Sequence, residues 1–241
     1  MEPVTDHAGL VKLFTENYRL CEIGPGQTVA VLSEGGQLRD YAEASLAAVR
    51  ALGAEAVDVN VPSDSAMDAS QRIANIGQNP LSQHPAAMQA CKDADMVIDH
   101  MLLLFSREQI EMQKAGSRIL MVVEPVEVLQ RLFPTKALRA RVEAGERLLA
   151  DASSLRFVNQ AGTDVTYRLA GKSILTEYGY TVTPGRWDHW PGGFLATLAA
   201  DGGVEGRVVM DRGDLLFPQK RALTEPVEFV IRDGWVREIN G

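Results

Sequence analysis

The chain has 241 residues, a formal net charge of −8 and 46% hydrophobic residues, values that are ordinary for a globular protein with a sizeable core. The acidic balance and the lack of any basic stripe exclude a nucleic-acid partner and an anionic membrane surface. No apolar run approaches the length of a membrane span, and the first residues lack a signal-peptide pattern, so we predict a cytoplasmic protein with no membrane partner. Cys21 and Cys91 have no metal or redox spacing and are predicted to be reduced.

The first part of the chain alternates between helical and strand patterns. Strand–turn–helix–strand order with β-branched, apolar strands is typical of a parallel sheet that helices cover on both faces. The predicted helices are 8–20, 38–52, 70–76, 85–94, 107–115, 126–132 and 135–150, and the predicted strands are 28–32, 56–61, 96–101 and 118–123. Ser106 and Gln109 have capping-box spacing at the start of one helix. GxGxxG does not follow the first strand, so dinucleotide binding is set aside.

After residue 152 the pattern changes to short strands, predicted at 155–159, 164–169, 207–211, 227–231 and 235–239. Asp233-Gly234 between the last two is a hairpin signal. We therefore predict the α/β class: a Rossmann-like parallel sheet in a first domain, 1–151, and a β-rich second domain, 152–241. The second domain could close on itself, but its last hairpin strand runs to the final residue, and such a strand often pairs with a further segment.

The segment 176–194, TEYGYTVTPGRWDHWPGGF, concentrates aromatic and ionisable residues between Gly and Pro residues. Gly and Pro at this density predict a loop of tight turns. Aromatic and charged side chains on such a loop suit a pocket wall better than a solvent-exposed linker. Ligands of open α/β sheets bind beyond the carboxyl ends of the strands, so we expect this loop to fold from the second domain over that rim and form a cleft.

Several segments carry a resemblance to one family. They are TEYGY and PGRWDHWPGGF within 176–194, DMVIDHMLLLFSREQ at 95–109, RILMVVEP at 118–125 and EGRVVMDRGDLLFP at 205–218. Together they resemble the 2,5-dihydroxypyridine 5,6-dioxygenases, ring-cleaving enzymes of nicotinate degradation, over essentially the whole chain. The family is more distantly similar to M29-type metalloaminopeptidases. Its members continue past the position of Gly241, so the resemblance implies that the β-rich second domain is incomplete in this sequence.

The resemblance implies a non-haem Fe(II) enzyme that cleaves 2,5-dihydroxypyridine with dioxygen to N-formylmaleamate, and a homo-oligomer. It implies that two His and one Asp hold the iron and that all three lie beyond Gly241, so no metal ligand is expected in this chain. Two alternatives remain open: a non-catalytic small-molecule-binding scaffold of the same fold, and an M29-like metalloaminopeptidase.

His189 is the predicted catalytic residue, because imidazole transfers protons near neutral pH and Trp187 and Trp190 flank it in the sequence. By resemblance it assists proton transfer in the substrate pocket; a structural role in a turn is the alternative. Leu104 matches a position that packs on the substrate ring, while Phe105 departs from the family, which has a His there. The predicted substrate-binding residues are Leu104, Phe105, Glu177, Tyr178, Arg186, Trp187, Asp188 and Trp190.

Several of these positions also have structural interpretations. Core packing would explain Leu104 and Phe105, and a salt bridge with Arg186 or a turn-stabilising contact would explain Asp188. Glu177 falls where the aminopeptidases carry a metal-binding Glu, but we expect it to support the site. A self-contained iron site would need His100 and His189 to converge with a carboxylate, and no ligand spacing in the sequence prepares one.

Overall fold

The computed structural model describes residues 4, 6–63, 80–169, 171, 173–217 and 219–241. The helix predicted at 70–76 lies outside the described residues. The chain divides into two compact units, which are Met1–Ala140 with Glu177–Gly193, and Arg141–Thr176 with Phe194–Gly241. We call them unit 1 and unit 2. We predicted one domain boundary, near residue 152. In the structure the chain passes from unit 1 into unit 2, returns to unit 1 for residues 177–193, and then enters unit 2 again.

Helices and strands follow the predicted order closely. The helices are α1 His7–Leu20, α2 Arg39–Ala51, α3 Pro85–Asp93, α4 Arg107–Ala115, α5 Val126–Arg131 and α6 Lys136–Asp151, with a 3₁₀ helix at Pro80–Gln83. The strands are β1 Thr28–Glu34, β2 Glu55–Val61, β3 Met96–Asp99, β4 Arg118–Met121, β5 Ser154–Val158, β6 Asp164–Arg168, β7 Ile174–Glu177, β8 Trp187–His189, β9 Phe194–Thr197, β10 Val204–Met210, β11 Leu215–Leu216, β12 Arg221–Ala222, β13 Val227–Arg232 and β14 Trp235–Asn240. Among the described residues, no helix is both long and apolar enough to cross a membrane.

Unit 1 is built on a parallel sheet whose strand order is β2-β1-β3-β4-β8. Helices flank this sheet, so the predicted α/β class with a parallel sheet is confirmed. β1, β3 and β4 are almost entirely buried, which explains their continuous β-branched and aliphatic sequences. On one side, Phe14 of α1 contacts the rings of Tyr18, Tyr41, His100 and Trp190.

Local signals fix where the elements around the site begin and end. The hydroxyl Oγ of Ser106 accepts a hydrogen bond from the backbone N–H of Gln109 at 3.1 Å, as the capping-box spacing predicted. Gly116 ends α4 with a φ of +102°. The strand predicted at 96–101 ends two residues early, because the carboxylate of Asp99 accepts hydrogen bonds from the N–H groups of Met101 and Leu103 and turns the chain out of the sheet.

The segment 176–194 corrects one prediction. It was expected to be a loop, but Trp187–His189 forms β8, the fifth strand of the parallel sheet, and pairs with Ile119–Met121 of β4. The Gly and Pro residues occupy the turns on either side of these three residues. A three-residue strand is too short to show a period in the sequence, and only its pairing with β4 makes it a strand.

Unit 2 contains an antiparallel sheet of order β14-β13-β10-β6-β5. Its members include all five strands predicted after residue 152, and Asp233-Gly234 joins β13 to β14 as the predicted hairpin. β7 pairs with β9, and β11 pairs with β12, in two further small sheets. These four short strands were not predicted.

Candidate active site

The candidate site of unit 1 lies at the carboxyl end of the parallel sheet. Asp99, Met121 and His189 are register partners on β3, β4 and β8, so they stand at one level and point to one face of the sheet. Glu124 follows three residues after β4 at the same edge. This is the edge at which open α/β folds bind their ligands.

The alternating side-chain directions along β8 place the predicted residues of the WDHW segment on two different faces of the sheet. Successive strand residues point to opposite faces, so Trp187 and His189 share one face and Asp188 points to the other. The Trp187 and His189 rings are stacked, with centroids 6.4 Å apart and an interplanar angle of 25°. The structure thereby separates residues that the sequence presented as one cluster.

His189 lies between two carboxylates. Oε2 of Glu177 is 3.4 Å from Nδ1, and Oε1 of Glu124 is 3.7 Å from Nε2. The His189 side chain is 18% exposed, yet its Nε2 atom is shielded from solvent and has no hydrogen-bond partner among the described residues. Nε1 of Trp187 is also buried, and the described part of the chain offers it no partner. Two buried polar nitrogens on one face therefore have no hydrogen-bond partner among the described residues.

This geometry suits proton transfer. A carboxylate beside Nδ1 favours the tautomer that carries its proton there, since Nδ1–H can then point toward Glu177. Nε2 is then the acceptor atom, and its lone pair is not engaged by the described part of the protein. Contacts of 3.4 to 3.7 Å are longer than good hydrogen bonds, and catalytic contacts commonly shorten only when substrate is bound.

Asp188 holds the neighbouring backbone in position. Its Oδ1 accepts hydrogen bonds from the N–H groups of Tyr178 at 2.9 Å, Gly179 at 2.7 Å and His189 at 2.9 Å. Its Oδ2 accepts one from Nη2 of Arg186 at 2.9 Å. Because Tyr178 and Gly179 directly follow Glu177, Asp188 fixes the strand end that brings Glu177 beside His189. Burial raises the pKa of Asp188 to about 6, while the Arg186 charge and the N–H donors of Gly179 and Tyr178 act to lower it.

Glycines make this close approach possible. A Cβ on Gly179, which has a φ of +90°, would stand 2.7 Å from Cβ of Pro134 and 2.9 Å from the carbonyl oxygen of Pro191. A Cβ on Gly192, which has a φ of +72°, would overlap the backbone of Tyr178 and Gly179. Only glycine fits both positions without a shift of the backbone.

Two of the predicted substrate-binding residues have packing roles in the structure. Trp190 is fully buried; its Nε1–H donates to the carbonyl oxygen of Leu129 at 3.2 Å, and its ring meets those of Phe14 and Phe133 edge-on. Tyr178 is buried beneath two guanidinium groups, at 4.3 Å for Arg186 and 4.9 Å for Arg139. These contacts support the site from the face opposite His189.

Leu104 and Phe105 lie in the turn between β3 and α4. Leu104 is half-buried and Phe105 is exposed. Leu102 and Phe105 adopt positive φ values of 63° and 60°, a conformation that costs bulky residues energy and is concentrated at functional sites. Asp99 anchors this turn through its bonds to Met101 and Leu103.

Asp99 and Glu124 were not among the predicted site residues. Burial raises the pKa of Asp99 to about 6, and the N–H groups of Leu103, Met101 and Leu102, together with the charge of His189, act in the opposite direction. Both residues lie at strand ends, where acidic side chains reach the ligand edge of the sheet. Their convergence on His189 depends on the strand order.

The described residues do not provide an iron site. Among them, no group of three or more His, Cys, Asp or Glu side chains is placed to hold a metal ion. Glu177 and Glu124 approach opposite nitrogens of His189, so one ion could not be shared by all three side chains.

His100 cannot join His189 in a self-contained site. It is buried on the opposite face, where Nε2 contacts Oγ of Ser45 at 3.0 Å and Nδ1 contacts the carbonyl oxygen of Val122 at 2.7 Å. Burial lowers its pKa to about 4, against the opposing effects of the Val122 hydrogen bond and Asp40. Both nitrogens are engaged within the protein, so His100 is not placed to bind an ion beside His189.

Comparison with known proteins identifies the family of the chain. The family model described as NicX, 2,5-dihydroxypyridine 5,6-dioxygenase, matches residues 9–241. A curated 2,5-dihydroxypyridine 5,6-dioxygenase from Pseudomonas putida (strain KT2440) is 38% identical, over an alignment that covers 99% of this chain and 69% of that relative. The solved structure of 2,5-dihydroxypyridine dioxygenase from Pseudomonas putida KT2440 matches with a TM-score of 0.91, again over 99% of this chain and 69% of that one.

A more distant structure shares the fold alone. AmpT from Thermus thermophilus is 18% identical with a TM-score of 0.59, over 95% of this chain and 70% of that one. At this identity the likeness carries no argument for aminopeptidase chemistry. The family match and the 38% identical relative are sufficient by themselves: the chain belongs to the 2,5-dihydroxypyridine 5,6-dioxygenase family.

Proposed function

We propose that this chain takes part in the cleavage of 2,5-dihydroxypyridine, or a closely related dihydroxypyridine, by dioxygen, and that His189 moves the proton of a ring hydroxyl. The product would be N-formylmaleamate. Addition of both atoms of dioxygen to the substrate gives the elemental composition of this product, so no further oxidant is required. Family membership supports the reaction class, and the surroundings of His189 support its role.

One observation carries the role of His189. Its Nδ1 faces the carboxylate of Glu177 at 3.4 Å, while its Nε2 is buried without a hydrogen-bond partner among the described residues. A buried polar nitrogen without a hydrogen-bond partner lowers the stability of a folded protein. A substrate hydroxyl placed at Nε2 would satisfy it, and the same contact would let the ring accept the hydroxyl proton.

The other residues of this face would orient the ring and the proton. Glu177 would stabilise the imidazolium that forms when His189 accepts a proton, as an orienting carboxylate does in other His-based sites. Nε1–H of Trp187 would donate to a second polar atom of the substrate. Glu124, 3.7 Å from Nε2, lies on the side from which the substrate hydroxyl would approach and would receive the proton onward.

Fe(II) remains a proposed cofactor, on the resemblance alone. The described residues around His189 do not fit an iron site, because Glu177 and Glu124 approach opposite nitrogens of the ring, and every proton movement proposed for this face is independent of a metal. The homo-oligomeric state and the cytoplasmic location likewise remain proposals. Activity measured with and without added Fe(II), and after treatment with a chelator, tests the metal requirement.

The decisive experiment compares His189→Gln with His7→Gln, because His7 is an exposed histidine at the start of α1. Oxygen consumption and loss of substrate absorbance would be followed with 2,5-dihydroxypyridine and Fe(II). Loss of an acid–base group lowers kcat by about 10²- to 10⁴-fold, and we expect a loss in this range for His189→Gln and none for His7→Gln. A His189→Gln variant that keeps its kcat within a factor of two overturns the assignment.

Failure to consume oxygen with Fe(II) present, both for the chain alone and after addition of the polypeptide that the Pseudomonas putida relative has outside the match, would overturn the proposed reaction itself. Calorimetric titration with 2,5-dihydroxypyridine would then distinguish a binding scaffold from an inactive preparation. Binding that is lost in Trp187→Phe, which keeps an aromatic ring of smaller size but removes the N–H donor, would place the ligand on this face.

A further inference from the structure

Glu124 lies in the short connection between β4 and α5, and two buried side chains bond to the backbone of that connection. Nδ1 of His100 is 2.7 Å from the carbonyl oxygen of Val122, and the hydroxyl of Tyr41 donates to the carbonyl oxygen of Glu124 at 2.9 Å. One bond therefore acts on the chain before the Cα atom of Glu124, and the other acts directly after it. The carboxylate of the same Glu124 is 3.7 Å from Nε2 of His189.

The direction of each bond around His100 follows from its chemistry. A carbonyl oxygen only accepts, so Nδ1 of His100 carries a proton and donates it to Val122. Burial lowers the pKa of His100 to about 4, so the ring is neutral near pH 7 and has a single N–H. Nε2 is then an acceptor, and the Ser45 hydroxyl, 3.0 Å away, donates to it. The Ser45 oxygen in turn accepts from the hydroxyl of Tyr18 at 2.6 Å, so all three bonds run toward the β4–α5 connection.

Packing holds both donors in these directions. Tyr41 and His100 are buried, and their rings meet edge-on with centroids 6.0 Å apart. The ring of Phe14 is stacked on His100 at 6.4 Å and lies edge-on to Tyr41 at 5.4 Å. Burial also raises the pKa of the Tyr41 hydroxyl, so this donor keeps its proton. Rings packed on several sides cannot turn without displacing their neighbours, and the two donors are therefore fixed before any ligand binds.

The connection has little freedom of its own. The N–H of Val122 donates to the carbonyl oxygen of Asp99 at the end of β3, at 2.9 Å. After Glu124, Pro125 directly precedes α5, and its ring fixes its φ. The backbone on either side of Glu124 is thus tied to the sheet and to a helix. A displacement of this short span would move the Glu124 carboxylate relative to His189.

We propose that Tyr41 and His100 are positioning residues, which place the carboxylate of Glu124 beside Nε2 of His189. This role rests on the proposed function, in which Glu124 receives the proton that His189 has accepted. Both residues act through the backbone of the β4–α5 connection. A purely structural role, in which the two side chains only satisfy buried carbonyl groups, would require the same hydrogen bonds but would affect stability alone.

The test is a double-mutant cycle of Tyr41→Phe and Glu124→Gln. The first change keeps the ring and removes only the hydroxyl, and the second keeps the side-chain size and removes the charge. The primary measurement is the NMR signal of the His189 imidazole Nε2 in ¹⁵N-labelled protein, which requires neither turnover nor metal. We expect Tyr41→Phe to shift this signal in the parent chain and to shift it far less in the Glu124→Gln chain, because a positioning residue acts only through the group that it places.

Tyr18→Phe is the matched control. It removes a buried hydroxyl from the same group of packed rings, but that hydroxyl contacts Ser45 and not the β4–α5 connection. We expect Tyr18→Phe to lower the thermal stability about as much as Tyr41→Phe does and to leave the His189 signal in place. His100→Phe keeps a ring beside Phe14 but removes the N–H donor, and it should reproduce the Tyr41→Phe pattern with and without the Glu124 charge.

Where the protein turns over 2,5-dihydroxypyridine, the same cycle is also followed by kinetics. Loss of one orienting hydrogen bond should lower kcat about three- to tenfold in Tyr41→Phe, with little change in KM. In the Glu124→Gln chain, Tyr41→Phe should cause no further loss of kcat. A lower kcat in both backgrounds would indicate a general loss of structure and would overturn the positioning role.

Two NMR results would also overturn it. One is an equal shift of the His189 signal in Tyr41→Phe and Tyr18→Phe. The other is a Tyr41→Phe shift of the same size with and without the Glu124 carboxylate. The expected pattern of shifts in a protein that does not turn over substrate would support the placement of Glu124 by Tyr41 and would count against the proposed reaction alone.

Discussion

Replacement of Arg186 by Met tests whether the buried ion pair at β8 holds the site together. The Asp188 side chain is fully buried and that of Arg186 is 23% exposed, with Nη2 and Oδ2 2.9 Å apart. Met keeps an unbranched apolar side chain over the Tyr178 ring but removes the positive charge. Asp188 would then be a buried carboxylate supported only by backbone N–H groups, and its pKa would rise further above its present value of about 6.

The cost follows from burial and depends on pH. Removing one partner of a buried pair costs about 3–5 kcal/mol, and a hydrogen bond to a charged group contributes about 1.5–3 kcal/mol. Because Arg186 is partly exposed, we expect a loss of about 2–3 kcal/mol in the free energy of unfolding at pH 8. At pH 5 Asp188 is protonated in both proteins, so the loss should fall to about 1 kcal/mol or less.

The assay is chemical denaturation at pH 5 and pH 8, followed by circular dichroism. Arg156→Met is the matched control, since Arg156 makes two contacts of 2.8 Å with Asp164, but the two side chains are 65% and 47% exposed. Exposed pairs contribute little, so we expect no measurable change. Equal losses for the two variants, or an Arg186→Met loss that does not vary with pH, would refute the view that burial sets the strength of this pair.

Two further predictions concern the backbone and the core of unit 1. Gly192→Ala should prevent stable folding or abolish activity, because the new Cβ would overlap the backbone of Tyr178 and Gly179. Gly116 also has a positive φ, but no atom lies within 4 Å of a Cβ placed there, so Gly116→Ala should lower the free energy of unfolding by only about 1–2 kcal/mol. Similar thermal melting curves for the two variants would contradict this. The pKa of buried His100 is lowered to about 4, so the unfolded chain binds a proton at this histidine before the folded protein does as the pH falls. The free energy of unfolding should therefore decrease by about 3 kcal/mol between about pH 6.5 and pH 4. A His100 imidazole that titrates near pH 6.5 by NMR in the folded protein would exclude this.

Most of the fold could be predicted from local sequence signals. The amphipathic period of α1, the Ser106–Gln109 capping box and the Asp233-Gly234 hairpin each depend on residues a few positions apart, and each is present in the structure. The residues that carry the family resemblance are also contiguous in sequence. Such signals can be recognised in a sequence because the interactions behind them join residues that are close together in the chain.

The site could be predicted only in part. His189, Glu177 and Trp187 were singled out in the sequence, and the structure brings them together on one face. Glu124 and Asp99 were not among the predicted catalytic or substrate-binding residues, because their approach to His189 depends on which strands are neighbours. The proton-transfer role of His189 and the substrate contacts of Leu104 and Phe105 remain predictions.

The sequence by itself determined the α/β class, the hairpin, the helix caps and the membership of a dioxygenase family, since each of these is encoded by residue types at short spacings. The tertiary structure decided that Trp187–His189 is the fifth strand of the parallel sheet, and hence which face each residue of that segment occupies. The physical reason is that a three-residue strand has no periodicity of its own. Its hydrogen bonds come from β4, which lies far earlier in the chain, and they alone direct His189 toward Glu177 and Glu124 and direct Asp188 toward Arg186.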